Sequence, residues 1–250
     1  MGIEQDLVPV LKKLRLSGVL TSLDLRIRQA VDDDLPHLEF LYRVLNDEVE
    51  RRGARQLELR MAKARFESDK GLDLFDFRFN PKIPKTQIVE LGTCTFVERH
   101  DNVCLIGPAG VGKSHLAQAI GQRACRAGHK VLYTSANRML TQLRAARADQ
   151  TYDKVLARLC HIDLLIVDDL GLRSLRGQEP EDLYEVIRGR YERASTLITS
   201  NRAINEWFPL FQDDLLASAA MDRLMHHAHV VVMDGHSFRN PPPDKKTKAA

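Results

Sequence analysis

The chain has 250 residues, 44% apolar and 28% charged, a length and balance suited to one sizeable core with a smaller appendage and unlike disordered or fibrous chains. Lysine and arginine number 37 against 34 acids, a formal net charge of +3, so total charge singles out no polyanionic partner and only local patches can. No apolar run approaches the ~18 residues of a membrane span, and the widely spaced Cys94, Cys104, Cys125 and Cys160 fit neither a disulfide framework nor a zinc site, so a cytoplasmic, reducing setting is expected.

From Asp6 to about Phe66 the pattern is helical. Leu7, Val10, Leu11 and Leu14 recur at helix spacing, Ser17-Gly18 breaks the run, and a second segment spans Val19 to Val31. A third opens with Asp34 as N-cap and Pro36 near the first helical position, sets Leu38, Leu41, Tyr42, Leu45 and Val49 on one face, and continues past Gly53 through Leu57, Met61 and Ala64. Residues 1–68 are therefore expected to form a small all-helical domain for partner, oligomer or DNA contact, with core packing the default use of its apolar stripes. Arg51, Arg52, Arg55, Arg60, Lys63 and Arg65 oppose only Glu58 there, a local basic patch.

Residues 69–86 look like a linker. Gly71, Pro81 and Pro84 surround Phe75, Phe77 and Phe79; the alternation suits a short strand or aromatics that dock on the next domain. Beyond it, over 87–240, apolar runs alternate with helices, as in a parallel sheet buried on both faces. Strands are predicted at 102–106, 130–134, 163–168, 196–201 and 229–233, and helices near 113–127, 136–147, 152–160, 180–193 and 214–226. The tail 241–250, PPPDKKTKAA, is expected to be disordered.

The octet Gly107, Pro108, Ala109, Gly110, Val111, Gly112, Lys113, Ser114 satisfies G-x-x-x-x-G-K-S between a strand and a helix. Glycines let backbone N–H groups converge into an anion nest, Lys113 can reach the β- and γ-phosphates, and the Ser114 hydroxyl can ligate Mg²⁺. With His115 these residues form the expected ATP-binding set. Further on, DLLIVDDLG ends an apolar strand in Asp168 and Asp169. Such an acid on a neighbouring strand holds the magnesium shell, and the second can orient or deprotonate water. TLITSN ends in Asn201, able to donate and accept hydrogen bonds at a strand tip, where a plain Asn turn is the competing reading.

Taken together, GPAGVGKSHLA, DLLIVDDLG, YERASTLITSNR and AAMDRLMHHAHVVVMDGHSFR resemble the IstB-type AAA+ ATPases, helpers of bacterial insertion-sequence transposases and similar to the DnaC-type helicase loaders. The resemblance runs from about Leu14 to Arg239 and includes FDFRFNP. It implies an α/β AAA+ P-loop core with a five-stranded parallel sheet and minimal lid. By position, Lys113 and Ser114 match the Walker-A pair, Asp168 and Asp169 the Walker-B acids, and Asn201 sensor 1. Arg223 in MDRL matches an arginine finger acting across a subunit interface, and Arg239 in HSFR matches the sensor-2 arginine. Asp169 stands where most AAA+ proteins carry Glu, a departure that bears on water activation.

The resemblance further implies a homo-oligomer assembled with ATP on duplex DNA and a cognate transposase as partner. Arg138, Arg144, Arg147, Arg173 and Arg176, with Lys154 and Arg158, are candidates for a phosphate-facing surface, against the alternative of solvated helix faces. His226, His227 and His229 lack a completing acid or cysteine for a metal set. A helicase loader, a small-molecule P-loop kinase and a slow DNA clamp are the rival functions.

Overall fold

The computed structural model describes residues 3–67 and 71–240. The expected disordered tail lies outside them. The chain forms two compact units that divide between Leu59 and Arg60, inside a long helix.

In the first unit, α1 (Ile3–Lys13), α2 (Ser17–Asp32) and the first part of α3 (His37–Ala64) bury Leu11, Val19, Leu23 and Val44 as a small core. Gly18 opens α2 rather than breaking it, because its bare Cα lets α3 approach. A Cβ there would meet the Glu48 Cα at 2.9 Å, and its N–H donates to Glu48 Oε2 at 2.5 Å. Glu48 is only 3% exposed and also accepts from Arg51 (3.1 Å) and Arg52 (2.7 Å), as a buried carboxylate requires. This corrects two sequence expectations. Leu38, Leu41, Tyr42, Leu45 and Val49, the expected core stripe, are 45–81% exposed, since α3 turns its Phe40, Val44 and Glu48 side inward. Asp34 sits at φ 48°, in the left-handed turn that ends α2, and is no N-cap; short polar residues tolerate that conformation.

In the second unit, α4 (Lys85–Leu91) and α5 (Thr95–Glu98), neither predicted, lead into β1 (Asn102–Ile106). Then follow α6 (Lys113–Arg126), β2 (Val131–Ser135), α7 (Ala136–Ala148), α8 (Tyr152–Cys160), β3 (Leu164–Asp168), α9 (Glu179–Arg190), β4 (Ser195–Ser200), α10 (Asp214–Met225) and β5 (Ala228–Val232). Every predicted strand is present, within one residue of its expected bounds. A 3-10 turn at Ile204–Leu210 buries Trp207 and was not foreseen. The five strands are parallel in the order β2-β3-β4-β1-β5. β1, β3 and β4 are buried at every position; β1 and β3 accordingly carry the apolar runs VCLI and LLIV, while β4 buries hydroxyls that find partners, Ser195 the Phe96 carbonyl and Thr199 the Asp168 carboxylate. Arg190, 1% exposed, pins the sheet's lower edge by donating to the carbonyls of Leu159, Ile162 and Ser195 and to Thr196 Oγ1, so its desolvated charge is satisfied by dipoles.

Phe75, Phe77 and Phe79 form no strand. A 3-10 turn at Leu72–Leu74 delivers them as a docked segment, with Phe75 7% exposed and packed edge-on to Phe77 and His115.

Candidate functional site: a phosphate loop under an aromatic strap

β1 ends directly in the phosphate loop, and α6 starts at Lys113. Between them Gly110 and Gly112 have φ of 84° and 102°, values that side-chain-bearing residues rarely adopt. Neither site has room for a side chain. A Cβ on Gly112 would meet Phe75 Cε2 at 2.5 Å, and one on Gly110 would overlap Ser237 Oγ. The loop is thus shaped by its own backbone and clasped by two segments remote in sequence.

Lys113, 5% exposed, donates from Nζ to the carbonyls of Gly107 (2.8 Å) and Pro108 (2.7 Å) and to Asn201 Oδ1 (2.7 Å). Burial lowers its pKa, and the charges of Asp169 and Asp168 oppose that shift. Three loop and strand-tip oxygens therefore hold the ammonium where a phosphate would meet it.

The strand bearing Asp168 is not the direct neighbour of β1, since β4 lies between them. Asp168 still reaches the loop: Ser114 Oγ donates to its Oδ1 at 2.9 Å. Two further hydroxyls donate to the same carboxylate, Tyr133 to Oδ2 at 2.5 Å and Thr199 to Oδ1. Sequence reasoning missed both. Their signal is in the register, which pairs Tyr133 with Ile166 and Val167 with Ile198, so Tyr133 shares a face with Asp168 and Thr199 lies beside it. Burial first, then the hydrogen bond to Asp168, raise the Tyr133 pKa, which keeps the phenol a donor. The Thr199 hydroxyl also accepts the Asp169 N–H at 2.9 Å, fixing the turn in which Asp169 takes φ 58°. Asp169 has its pKa raised, chiefly by burial and next by the Asp168 charge, against the pull of Lys113 and Arg239.

A cavity of about 540 Å³ joins these groups. It is lined by Gly110, Gly112, Lys113 and Ser114 of the phosphate loop and α6, by Asp169 and Asn201 from the strand ends, and by Phe75, His115, Phe238 and Arg239. Ala109 belongs to the lining, whereas Gly107, Pro108, Val111 and Asp168 do not. The donors around Ser114 and Asp168 are all oxygens, the set a hard cation such as Mg²⁺ takes, with phosphate oxygens and water completing the shell. The residues present fit a Mg²⁺–nucleoside triphosphate.

A family model for the IstB-like ATP binding protein matches residues 9–248. The chain belongs to the IstB-like ATP-binding family. An ATP-binding protein in an insertion sequence of Mycobacterium tuberculosis is 38% identical over 230 residues, covering 92% of both chains. The insertion sequence IS21 ATP-binding protein of Pseudomonas aeruginosa is 36% identical, covering 94% of this chain and 88% of that one. Among solved structures, the DnaC helicase loader superposes with a TM-score of 0.55 at 21% identity, over 66% of this chain and 97% of that one. AMPPCP-bound DnaA from Aquifex aeolicus gives 0.57 at 19%, over 68% and 51%. The fold of the second unit is accordingly the AAA+ P-loop fold.

For this IstB-like chain, the remaining sequence candidates divide in two. Arg223 is on α10 away from the cavity, its Nη1 donating to the Ala219 carbonyl at 2.8 Å and its guanidinium 5.6 Å from the Tyr184 ring. Of the basic candidates, Arg147 and Arg173 are engaged internally. Arg147 pairs with the buried Asp182 at 2.5 Å and stacks 3.9 Å from the Tyr152 ring, and Arg173 pairs with the buried Glu179 at 2.6 Å while holding Asn137. Such pairs are costly to break, so these two brace the α7–α9 face. Arg138, Arg144 and Arg176, with Lys154 and Arg158, are exposed.

Proposed function

We propose that this protein is an ATPase that assembles as a homo-oligomer on duplex DNA and assists a cognate insertion-sequence transposase. The observation that carries the reading is the cavity in which Lys113, Ser114, Asp169, Asn201 and Arg239 converge while Arg223 stays outside it. An in-line water attacks the terminal phosphorus, a bond forms to the water oxygen, and the bond to the bridging oxygen breaks, giving ADP and inorganic phosphate. Asp169 orients that water and accepts its proton, and Asn201 steadies it from the tip of β4. Lys113 and Arg239 balance charge on the phosphates, and Mg²⁺ at Ser114 and Asp168 supplies further neutralisation when bound. Arg223 of a neighbouring subunit completes the site in trans, so hydrolysis reports assembly.

DNA contact is assigned to Arg138, Arg144 and Arg176, with Lys154 and Arg158, as sequence-independent phosphate binding. The names of the relatives, ATP-binding proteins of insertion sequences, support the transposase over the helicase-loader reading suggested by the fold match to DnaC. The experiment is phosphate release with Mg²⁺–ATP as duplex DNA is added. DNA-stimulated release supports the proposal; nucleotide binding without release at any DNA concentration refutes it. Pull-downs against the transposase and a replicative helicase separate the two partners.

A further inference from the structure

Past β5 the chain runs as a strap, Met233 to Arg239, across the phosphate loop. Its first residue continues the sheet, Met233 N–H donating to the Ile106 carbonyl at 2.7 Å, and further along Phe238 N–H donates to the Gly110 carbonyl at 2.9 Å. Between these anchors stands Asn80, 2% exposed. Its Nδ2 donates to the His236 carbonyl at 2.9 Å, and its Oδ1 accepts the His236 N–H at 2.8 Å. One carboxamide thus reads the donor and the acceptor of a single backbone residue, as a strand partner would. Gly235 makes the approach possible, because a Cβ there would overlap Asn80 Oδ1. The adjacent Phe79 ring lies 4.2 Å from Phe238, and Phe75 lies 5.6 Å from it.

We infer that Asn80 is a positioning residue for the nucleotide site: by fixing His236 it sets the register of the strap and so holds Arg239 in the lining of the cavity. Asn80 does not itself line that cavity, so it acts through the strap. A slip of one residue displaces Arg239 by roughly 3.3 Å, the rise of an extended residue, which is enough to lose a hydrogen bond. The ligand group concerned is the terminal phosphate of a nucleoside triphosphate. The inference rests on the proposed role of Arg239.

The test is the ratio of ATP to ADP affinity, with Mg²⁺, for the full chain and for Arg239→Ala, Asn80→Ala, Gly235→Ala and the Asn80→Ala/Arg239→Ala double variant. Arg239→Ala should lower the ratio roughly tenfold, as expected for a lost hydrogen bond to a charged group. Asn80→Ala and Gly235→Ala should lower it in the same direction, and the double variant should fall no further than Arg239→Ala alone. Gly235→Ala displaces the clasp while leaving Asn80 in place, so a poorly folding Asn80→Ala does not remove the test. An unchanged ratio in Asn80→Ala and Gly235→Ala beside a lowered one in Arg239→Ala overturns the inference alone. So does an additive double variant. An unchanged ratio in Arg239→Ala overturns the role of Arg239 and the inference with it, while retained binding and hydrolysis leave the ATPase reading standing.

Discussion

The Tyr133 hydroxyl donates to Asp168 Oδ2 at 2.5 Å from β2, the strand at the sheet edge. With Ser114 and Thr199 it gives that carboxylate three hydroxyl donors, leaving the acid's direction fixed before any cation arrives. Removing one donor to a charged group costs about 1.5 kcal/mol or more. Tyr133→Phe should therefore lower folding stability by about that amount although the ring and its contact with Phe66 remain, and, by freeing the carboxylate to turn, raise the Mg²⁺ concentration for half-maximal ATP binding by up to roughly tenfold. A Mg²⁺ titration of nucleotide binding checks it, and an unshifted midpoint would remove Tyr133 from the site.

Lys113 and Asn201 share a 2.7 Å hydrogen bond but are expected to fail differently. Lys113→Ala removes the cation from the phosphates and should abolish measurable ATP binding. Asn201→Ala keeps the loop and its lysine, so ADP affinity should stay within a few-fold while turnover falls roughly 100-fold, the usual scale for losing one preorganised polar group. Binding and single-turnover measurements on the same samples separate the two.

At the α2–α3 crossing, substitution of Gly18 tests close packing against propensity. Alanine gains up to about 1 kcal/mol of helix propensity, yet its Cβ would meet the Glu48 backbone at 2.9 Å, and overpacking costs about 1–3 kcal/mol. Gly18→Ala is expected to destabilise the helical unit, read as a lower denaturation midpoint. A rise would show that the helices part freely there.

Acid should act on that same crossing. Arg51 first, with Arg52 and the Gly18 N–H, holds the Glu48 pKa down to about 2 against the desolvation that opposes them. A carboxylate with a depressed folded pKa contributes stability that is complete above its unfolded value, near 4.3, and is lost as pH falls through the folded one. The loss for the helical unit should begin below about pH 5 and continue to about pH 2, and Glu48→Gln should reduce it, with Asp47, held down to about 2 chiefly by its hydrogen bond from Arg26, supplying the remainder. Circular dichroism across that range decides.

How much of this was legible in the residues depends on the range of each interaction. The strands β1 and β3 announced themselves because they are buried on both faces and carry apolar runs; Lys113 and Ser114 were legible in the glycine-rich octet that opens α6, and Asp168 and Asn201 in the strand ends they occupy or follow. The α3 stripe was misread because periodicity reports an apolar face without saying what covers it, and Glu48 is buried only through arginines and a glycine on two helices. Tyr133, Thr199 and Asn80 escaped notice for a related reason. Each acts on a residue more than 30 positions away, and only the parallel register and the course of the strap bring them together. The ion pairs of Arg147 and Arg173 were not legible because their partners Asp182 and Glu179 belong to α9, outside any local pattern.

The central claim is that the site is completed by a second copy. The direct measurement mixes two inactive full-length variants, Arg223→Ala and Asp169→Asn, with Mg²⁺–ATP and duplex DNA. The first keeps an intact pocket and the second an intact finger, so random assembly should restore hydrolysis at about a quarter of interfaces, one half for each partner. Phosphate release from the mixture well above the sum of the separate variants is the expected result. A mixture no more active than that sum, although the proteins co-assemble, would contradict it.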